Sequence, residues 1–354
     1  MDANSNNHLV IMAGGVGSRF WPLSSEERPK QFLDILGTGK TLLQLTLERF
    51  RPLVPLENVW VVTSKQYRDL VCEQLPDVPV ENILLEPCRR NTAPCICYVS
   101  WRIKSLNPRA NVVVAPSDHI ITDVDLFRAS ISDALAFAAE TDAIVTLGIK
   151  PSHAETGYGY IRADLTYCSS RSKNIYRVDA FKEKPSRDVA EQYVKDQSYL
   201  WNSGIFIWSV STIVNAFRVY QGEMSRLFER ILRFYGTTEE QKHIDEIYPQ
   251  CDNISVDYAI LEKAEEVFVY PSHFGWSDLG TWGSLHAHSA LDKYGNAAIG
   301  PSVDFHDSYN CTVHTSGLRK VVVQGLDGYI IAENDGTLLI CKQTEEQRIK
   351  LFHK

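Results

Sequence analysis

A glycine-rich turn followed by an arginine and a lysine is a device for holding phosphate, and residues 14–32, GGVGSRFWPLSSEERPKQF, contain one. The preceding run His8 to Ala13, HLVIMA, reads as a buried parallel strand. Gly14, Gly15 and Gly17 then free the backbone to turn sharply and aim its N–H groups at an anion. Arg19 and Lys30 add positive charge where phosphate oxygens would sit.

Three competing phosphate readings are tested by spacing. A dinucleotide fingerprint requires G-x-G-x-x-G, but Gly15-x-Gly17 is followed by Phe20 where the third glycine belongs. Gly39-Lys40-Thr41 ends like a P-loop, yet the glycine needed five positions before Gly39 is Asp34, a carboxylate that repels phosphate. Thr41 is instead expected to cap a helix from Leu42 to Phe50. The third reading, a glycosyltransferase of the same general nucleotide-sugar fold, is opposed by the sugar-side motifs below.

Further along, NVVVAPSDHII (111–121) ends a short apolar strand in Asp118 and His119, at a strand C-terminus where open α/β sheets place ligands. Asp118 reads as a Mg²⁺ ligand, because magnesium is usually held by one or two carboxylates plus phosphates. His119 reads either as part of that site or as a neighbour orienting the loop. In EPCRRNTAP (86–94), Glu86 can accept from the N1 and N2 donors of guanine, a pairing that adenine and uracil do not offer. Asn91 or Thr92 can equally cap the next helix, with Pro94 in its first turn. Asn202 in WNSGIFIW (201–208) reads as a sugar-hydroxyl reader, whereas Trp201 and Trp208 read mainly as core.

The first segment resembles the N-terminal motif of the sugar-1-phosphate nucleotidylyltransferases. Phe20-Trp21-Pro22-Leu23-Ser24 followed by Pro29-Lys30-Gln31-Phe32 resembles the mannose-1-phosphate guanylyltransferase branch, and ordered motifs extend the likeness from about residue 8 to the C-terminus. The resemblance implies transfer of GMP from GTP to α-D-mannose 1-phosphate, giving GDP-mannose and pyrophosphate, with Arg19 and Lys30 catalytic. It adds Ser18 and Ser117 to Gly14, Gly15, Gly17, Glu86, Asn91 and Thr92 on the nucleotide side. Asp278, in GWSDLGTW (275–282), becomes the second metal ligand beside Asp118, for Mg²⁺ or for Mn²⁺ in its place; unaided, the S-D-L-G turn reads as a helix start. Gly157 (backbone) and Glu183 are implied to contact sugar hydroxyls and Lys184 the sugar phosphate, although the Lys-Glu-Lys run alone reads as an exposed edge. Asp257, in SVDYAILEK (255–263), borders the sugar pocket on this reading or caps a helix. Another sugar 1-phosphate, such as fucose or a heptose, and a catalytically silent regulatory homologue are the alternatives.

The elements that must position these residues begin with apolar runs at Val59 to Thr63, Ile83 to Leu85, Val112 to Ala115 and Ala143 to Leu147, separated by helical periodicity. This implies a Rossmann-like, mixed but mostly parallel sheet with helices on both faces. From about Ala297 the pattern changes to short β runs, Cys311 to His314, Arg319 to Gln324, Tyr329 to Glu333 and Leu338 to Cys341, then a short helix over Glu345 to Phe352. The expected division is a catalytic domain over 1–290 and a small β domain over 291–354, which the resemblance suggests is a left-handed β-helix. Because the sequence ends soon after the β part, the cupin-type isomerase domain of bifunctional relatives is not expected.

Composition narrows the partners. The 354 residues are 44% hydrophobic, enough for a large core, and carry a net charge of −8 without a basic run, which argues against nucleic acid. No apolar stretch reaches the roughly 18 residues of a membrane span, and MDANSNN lacks the basic and apolar regions of a signal peptide. A cytoplasmic location is therefore expected, with a homodimer entertained as the assembly. The eight cysteines contain no C-x-x-C pair and read as reduced thiols.

Overall fold

The computed structural model of the chain describes residues 5–15, 18–169, 172–300, 302–317 and 320–352, without the side chains of 18, 167–169 and 173. Its residues group into two compact units. Unit 1 comprises Met1–Gly14, Leu47–Pro116 and Ile121–Trp276, and unit 2 comprises Gly15–Thr46, Ser117–Ile120 and Ser277–Lys354.

Unit 1 is built on β1 (Asn7–Met12), β2 (Val59–Ser64), β3 (Ile83–Glu86) and β4 (Asn111–Pro116). After the two-residue β5 (Ile120–Ile121) come β6 (Ile144–Ile149), β7 (Gly159–Ser169), β8 (Ser172–Glu183), β9 (Tyr199–Ser209) and β10 (Val267–Ser272). One nine-stranded sheet runs β3-β2-β1-β4-β9-β6-β10-β8-β7. β1, β2, β3 and β4 pair in parallel, as do β6 and β10. β8 and β9 run against the other strands, so the expected sheet is present with two reversals.

Residues of β1, β2 and β4 are apolar nearly throughout because helices cover both faces. They include α1 (Leu42–Phe50), which begins in unit 2, α2 (Arg68–Gln74), α3 (Thr92–Leu106), α4 (Val124–Ala139) and α5 (Arg187–Lys195). α6 (Val210–Tyr220), α7 (Gly222–Glu229) and α8 (Glu240–Ile247) follow. Val10, Trp60, Val114 and Trp208 from the sheet share one core with Ile96, Ile213, Phe217 and Phe228 from α3, α6 and α7. α4 packs on β4, β6, β9 and β10. Asn91 caps α3 by accepting the Thr92 N–H at 2.9 Å. Asp123 caps α4 through the Leu126 N–H at 2.9 Å.

In unit 2, after the two-residue β11 (Trp276–Ser277) and α9 (Trp282–Ala287), the chain forms β12 (Ala297–Ile299), β13 (Val303–His306), β14 (Thr312–Thr315), β15 (Val321–Gln324), β16 (Tyr329–Asn334) and β17 (Thr337–Lys342). β12, β14 and β16 stack in parallel, β17 closes that sheet antiparallel, and β13 pairs in parallel with β15. The expected terminal helix is a 3-10 helix over Gln343–Leu351. Phe20, Leu23, Ile35 and Leu42 share one core with Leu279, Trp282, Ile330, Leu339 and Ile349. That core is continuous across residue 290. Thr41 caps α1 as expected: its hydroxyl accepts the Gln44 N–H at 3.3 Å, and the Gln44 amide oxygen accepts the Thr41 N–H at 3.0 Å. Asp34 takes the Thr38 and Gly39 N–H groups at 2.8 and 2.6 Å, so the P-loop-like stretch turns around a carboxylate.

Candidate active site

In unit 2 the Lys30 ammonium is the centre of convergence. It is 8% exposed, lies 3.0 Å from Oδ2 of Asp118, and donates to the backbone oxygens of Asp278 at 2.8 Å and Leu279 at 3.0 Å. An ammonium has three donors and no acceptor, which suits three oxygens arriving from two segments. Burial alone would raise the Asp118 carboxyl, but Lys30 and His119, with Nε2 of the latter 3.8 Å from Oδ1, outweigh it and hold the group below the usual carboxylate range.

The loop carrying Asp278 is held from both ends. Oδ1 of Asp278 accepts the Gly280 N–H at 3.0 Å, and a Cβ on Gly280 would lie 2.8 Å from Oδ2, so only glycine allows this approach. Thr281, not Asp278, caps α9, in a capping box with Ser284. Arg19 is exposed, and its Nη1 lies 3.5 Å from the Gly280 oxygen. Gln31 donates to the Gly15 oxygen at 2.8 Å, tying the start of the glycine turn to the segment that carries Lys30. Ser117 is buried, and its backbone oxygen accepts from the Thr46 hydroxyl at 3.3 Å. Gly17 lies outside the described residues, and of Ser18 only the backbone is described. Among the described residues no group of three or more His, Cys, Asp or Glu side chains could hold a metal by itself.

Unit 1 holds the remaining candidates in two places. Glu86, at the C-terminal end of β3, receives a hydrogen bond on Oε1 from the Tyr248 hydroxyl, while Oε2 lies 3.0 Å from where a Cβ on Gly14 would stand. Burial pushes the Glu86 carboxyl up to about 7, against the pull of the Tyr248 hydrogen bond. Asn91 is engaged as the α3 cap, at φ +65°, and the Thr92 hydroxyl accepts the Val256 N–H at 2.9 Å.

The second place gathers Asn202, Asp257, Glu183 and Lys184. Nδ2 of Asn202 donates to Oδ1 of Asp257 at 2.9 Å, and Oδ1 of Asn202 accepts the Thr146 hydroxyl at 3.1 Å. Burial first, and the Glu183 charge second, raise the Asp257 carboxyl to about 6. Asp257 opens a π-helical turn, Asp257–Leu261, a geometry often found at functional positions. Lys184, at φ +45°, pairs with Glu183 at 2.8 Å, which raises its pKa. The Gly157 N–H is given to Oε1 of Glu155 at 2.7 Å. Tyr158 sets its ring edge-on to Trp201 and Trp276, both with centroids 5.2 Å away.

Comparison with known proteins adds to this geometry. The nucleotidyl transferase family model matches residues 8–294. Mannose-1-phosphate guanylyltransferase 2 of Escherichia coli O157:H7 is 36% identical over 355 residues, spanning 96% of this chain and 71% of the relative. The chain belongs to the mannose-1-phosphate guanylyltransferases, within the nucleotidyl transferase family. The alginate biosynthesis protein AlgA of Pseudomonas fluorescens is 35% identical, over 96% of this chain and 70% of its own. A crystal structure described as mannose-1-phosphate geranyltransferase from Thermus thermophilus is similar with a TM-score of 0.86 at 32% identity, covering 98% of each chain.

Two residues that bond to candidates of this guanylyltransferase chain escape motif reading. Thr146 is a lone hydroxyl inside the buried run IVTLGI of β6, and such an isolated polar residue is itself a signal that it has a partner. Tyr248 follows α8, 162 positions from Glu86, and nothing in its local sequence marks it. Among the described residues no helix is long and apolar enough to cross a membrane.

Proposed function

We propose that this nucleotidyltransferase transfers GMP from GTP to α-D-mannose 1-phosphate, releasing pyrophosphate and forming GDP-mannose. The observation that carries the reading is the buried Lys30 ammonium converging with Asp118 and the Asp278–Leu279 backbone, in a chain that aligns over 96% of its length with a relative bearing that enzyme's name. A phosphate oxygen of the sugar phosphate attacks the α-phosphorus of GTP, and the bond to pyrophosphate breaks. The nucleophile needs no covalent help, so the chain's task is to align two anions and neutralise developing charge. Lys30 and Arg19 supply that positive charge.

Asp118 and Asp278 present hard oxygen donors that fit Mg²⁺ or Mn²⁺, with phosphate oxygens and water making up the rest of the shell. Such an ion would neutralise triphosphate charge. Glu86 reads guanine. Asn91 and Thr92 shape the surrounding loop through their caps, and the Gly14–Gly15 backbone, with Gly17, Ser18 and Ser117, serves the phosphates. Glu183, Asn202 and Asp257 read sugar hydroxyls beside Gly157, with Lys184 on the sugar phosphate.

We assign residues 1–290 to catalysis, in keeping with the family match over 8–294. For 291–354 we infer a left-handed β-helix. Ala297 pairs with Thr312 fifteen positions on, and Thr312 with Ile330 and Val303 with Val321 eighteen on, which supports stacked coils of similar length.

Pyrophosphate release, measured over the four nucleoside triphosphates crossed with mannose, glucose, fucose and heptose 1-phosphates, tests the reaction. GTP with mannose 1-phosphate should exceed every other pair. A different preferred sugar would replace the substrate, and no release with any pair would leave a silent nucleotide-sugar binder.

A further inference from the structure

Tyr248 is fully buried, in the 3-10 turn Tyr248–Gln250 that follows α8, with its ring edge-on to Phe228 at 6.1 Å between centroids. Its hydroxyl donates to Oε1 of Glu86. The same region is tied to the strand end a second time, by Gln241 of α8 donating to the Leu85 oxygen at 3.1 Å. Glu86 thus stands at a strand C-terminus with one oxygen engaged and the other against Gly14.

We infer that Tyr248 is a positioning residue for base selection, fixing Oε1 of Glu86 so that Oε2 alone is presented as an acceptor to the Watson–Crick edge of the purine. The inference rests on the reading of Glu86 as the guanine reader. A glutamate side chain has several rotatable bonds, and holding it in place before the nucleotide arrives removes an ordering cost from binding. The hydroxyl also favours the ionised carboxylate, which accepts only.

That second effect decides between bases. Guanine offers donors at N1 and N2, which an ionised Glu86 accepts; adenine offers an acceptor at N1, which only a protonated Glu86 could satisfy. Burial already pushes Glu86 up to about 7, and the Tyr248 hydrogen bond opposes the rise. Among the described residues the buried Cys95 thiol of α3 also feels this carboxyl; it is raised by burial and then by the Glu86 charge and is therefore neutral. Without Tyr248 more of Glu86 would be protonated near neutrality, and adenine would be rejected less well.

The test is the ratio of kcat/KM for GTP to that for ATP, with mannose 1-phosphate as acceptor, at pH 6 and pH 8, in wild type, Tyr248→Phe and Glu86→Gln. Tyr248→Phe should lose about tenfold of the GTP preference, the scale of one hydrogen bond to a charged group. The fold loss should be the same at pH 6 and pH 8, because a raised pKa changes the ratio of ionised to protonated Glu86 by one factor at every pH, with the KM for mannose 1-phosphate unchanged. A merely structural tyrosine would lower the thermal midpoint and leave the ratio alone. If Tyr248→Phe keeps the wild-type ratio at both pH values while Glu86→Gln loses it, Tyr248 has no part in selection and the base reading survives. If Glu86→Gln keeps the ratio, the base reading itself fails. Should Tyr248→Phe not fold, a wild-type crystal structure with GDP-mannose decides: guanine N1 or N2 within about 3.2 Å of Oε2, with Oε1 still on Tyr248, is expected, and guanine bound away from Glu86 overturns the proposal.

Discussion

The carboxylate at Lys30 and the carboxylates of unit 1, all half-buried, are accommodated by opposite means. Asp118 faces a full positive charge, and its pKa is held low. Glu86 and Asp257 take their hydrogen bonds from neutral donors, Tyr248 and Asn202, and burial drives them up to about 7 and about 6. An ion pair fixes charge, whereas a neutral donor leaves a buried carboxyl free to change protonation near working pH. The difference matches the tasks proposed for the two regions. A cationic site beside phosphates requires charge that never varies, which the Lys30–Asp118 pair provides, and recognising a base or a sugar requires donors and acceptors of defined direction.

The sharpest break in that contrast is at the ammonium. Lys30→Met and Arg19→Ala should each lower kcat by roughly 10²–10³, the usual loss when one charged donor to a developing oxyanion is removed. Lys30→Arg should not restore it, because a planar guanidinium cannot replace an ammonium with three converging acceptors. Turnover is to be measured well below each variant's thermal midpoint. A Lys30→Met enzyme that unfolds earlier but turns over normally would make Lys30 a staple between loops and nothing more.

The carboxylates of unit 1 give a smaller effect, in stability against pH. A carboxyl whose pKa is raised on folding holds a proton that the unfolded chain has released, so stability falls as pH rises from the unfolded value to the folded one. For Asp257 that window runs from about 4 to about 6, with a slope of at most about 1.4 kcal/mol per pH unit. Asp257→Asn keeps an oxygen for Asn202 and should flatten the thermal midpoint across that window while leaving the fall up to about 7 that belongs to Glu86. Parallel midpoint curves for wild type and variant between pH 4 and 8 would remove Asp257 from the comparison.

The smallest effect is a control away from both carboxylate types. Thr41→Ala removes the α1 cap and should cost about 1 kcal/mol in urea unfolding, with GTP turnover unchanged. A loss of activity without a loss of stability would mean that the Gly39-Lys40-Thr41 stretch touches nucleotide after all.

What the sequence disclosed follows from how local each signal is. Val59 to Thr63 and Val112 to Ala115 are legible as strands because residues buried on both faces must be apolar, and they lie within β2 and β4. The Thr41 cap and the Asp34 obstruction are legible because their partners stand within five positions. Lys30 and Asp118 could be named as separate candidates, but not that one ammonium holds Asp118 and the Asp278 backbone together, since the partners are 88 and 248 positions away. At Gly157 the partner is local, for its N–H is given to Glu155 only two residues back, yet no motif announces that contact. The grouping of residues 15–46 with 277–354 left no trace in composition, because a core assembled from distant segments looks locally like any other apolar stretch.

The path of the chain between the two units carries a consequence for heredity. It crosses after Gly14, Thr46, Pro116, Ile120 and Trp276, five times in all. No single cut therefore parts them. Any one break leaves at least one fragment holding portions of both units, and a gene shortened after Trp276 would still encode Phe20, Leu23, Ile35 and Leu42 while deleting Leu279, Trp282, Ile330 and Leu339, which share their core. Recombination cannot graft the C-terminal strands onto a foreign sheet as an independent module unless the glycine turn and the Lys30 segment travel with them, so the two halves of the machinery are inherited, exchanged or lost as one.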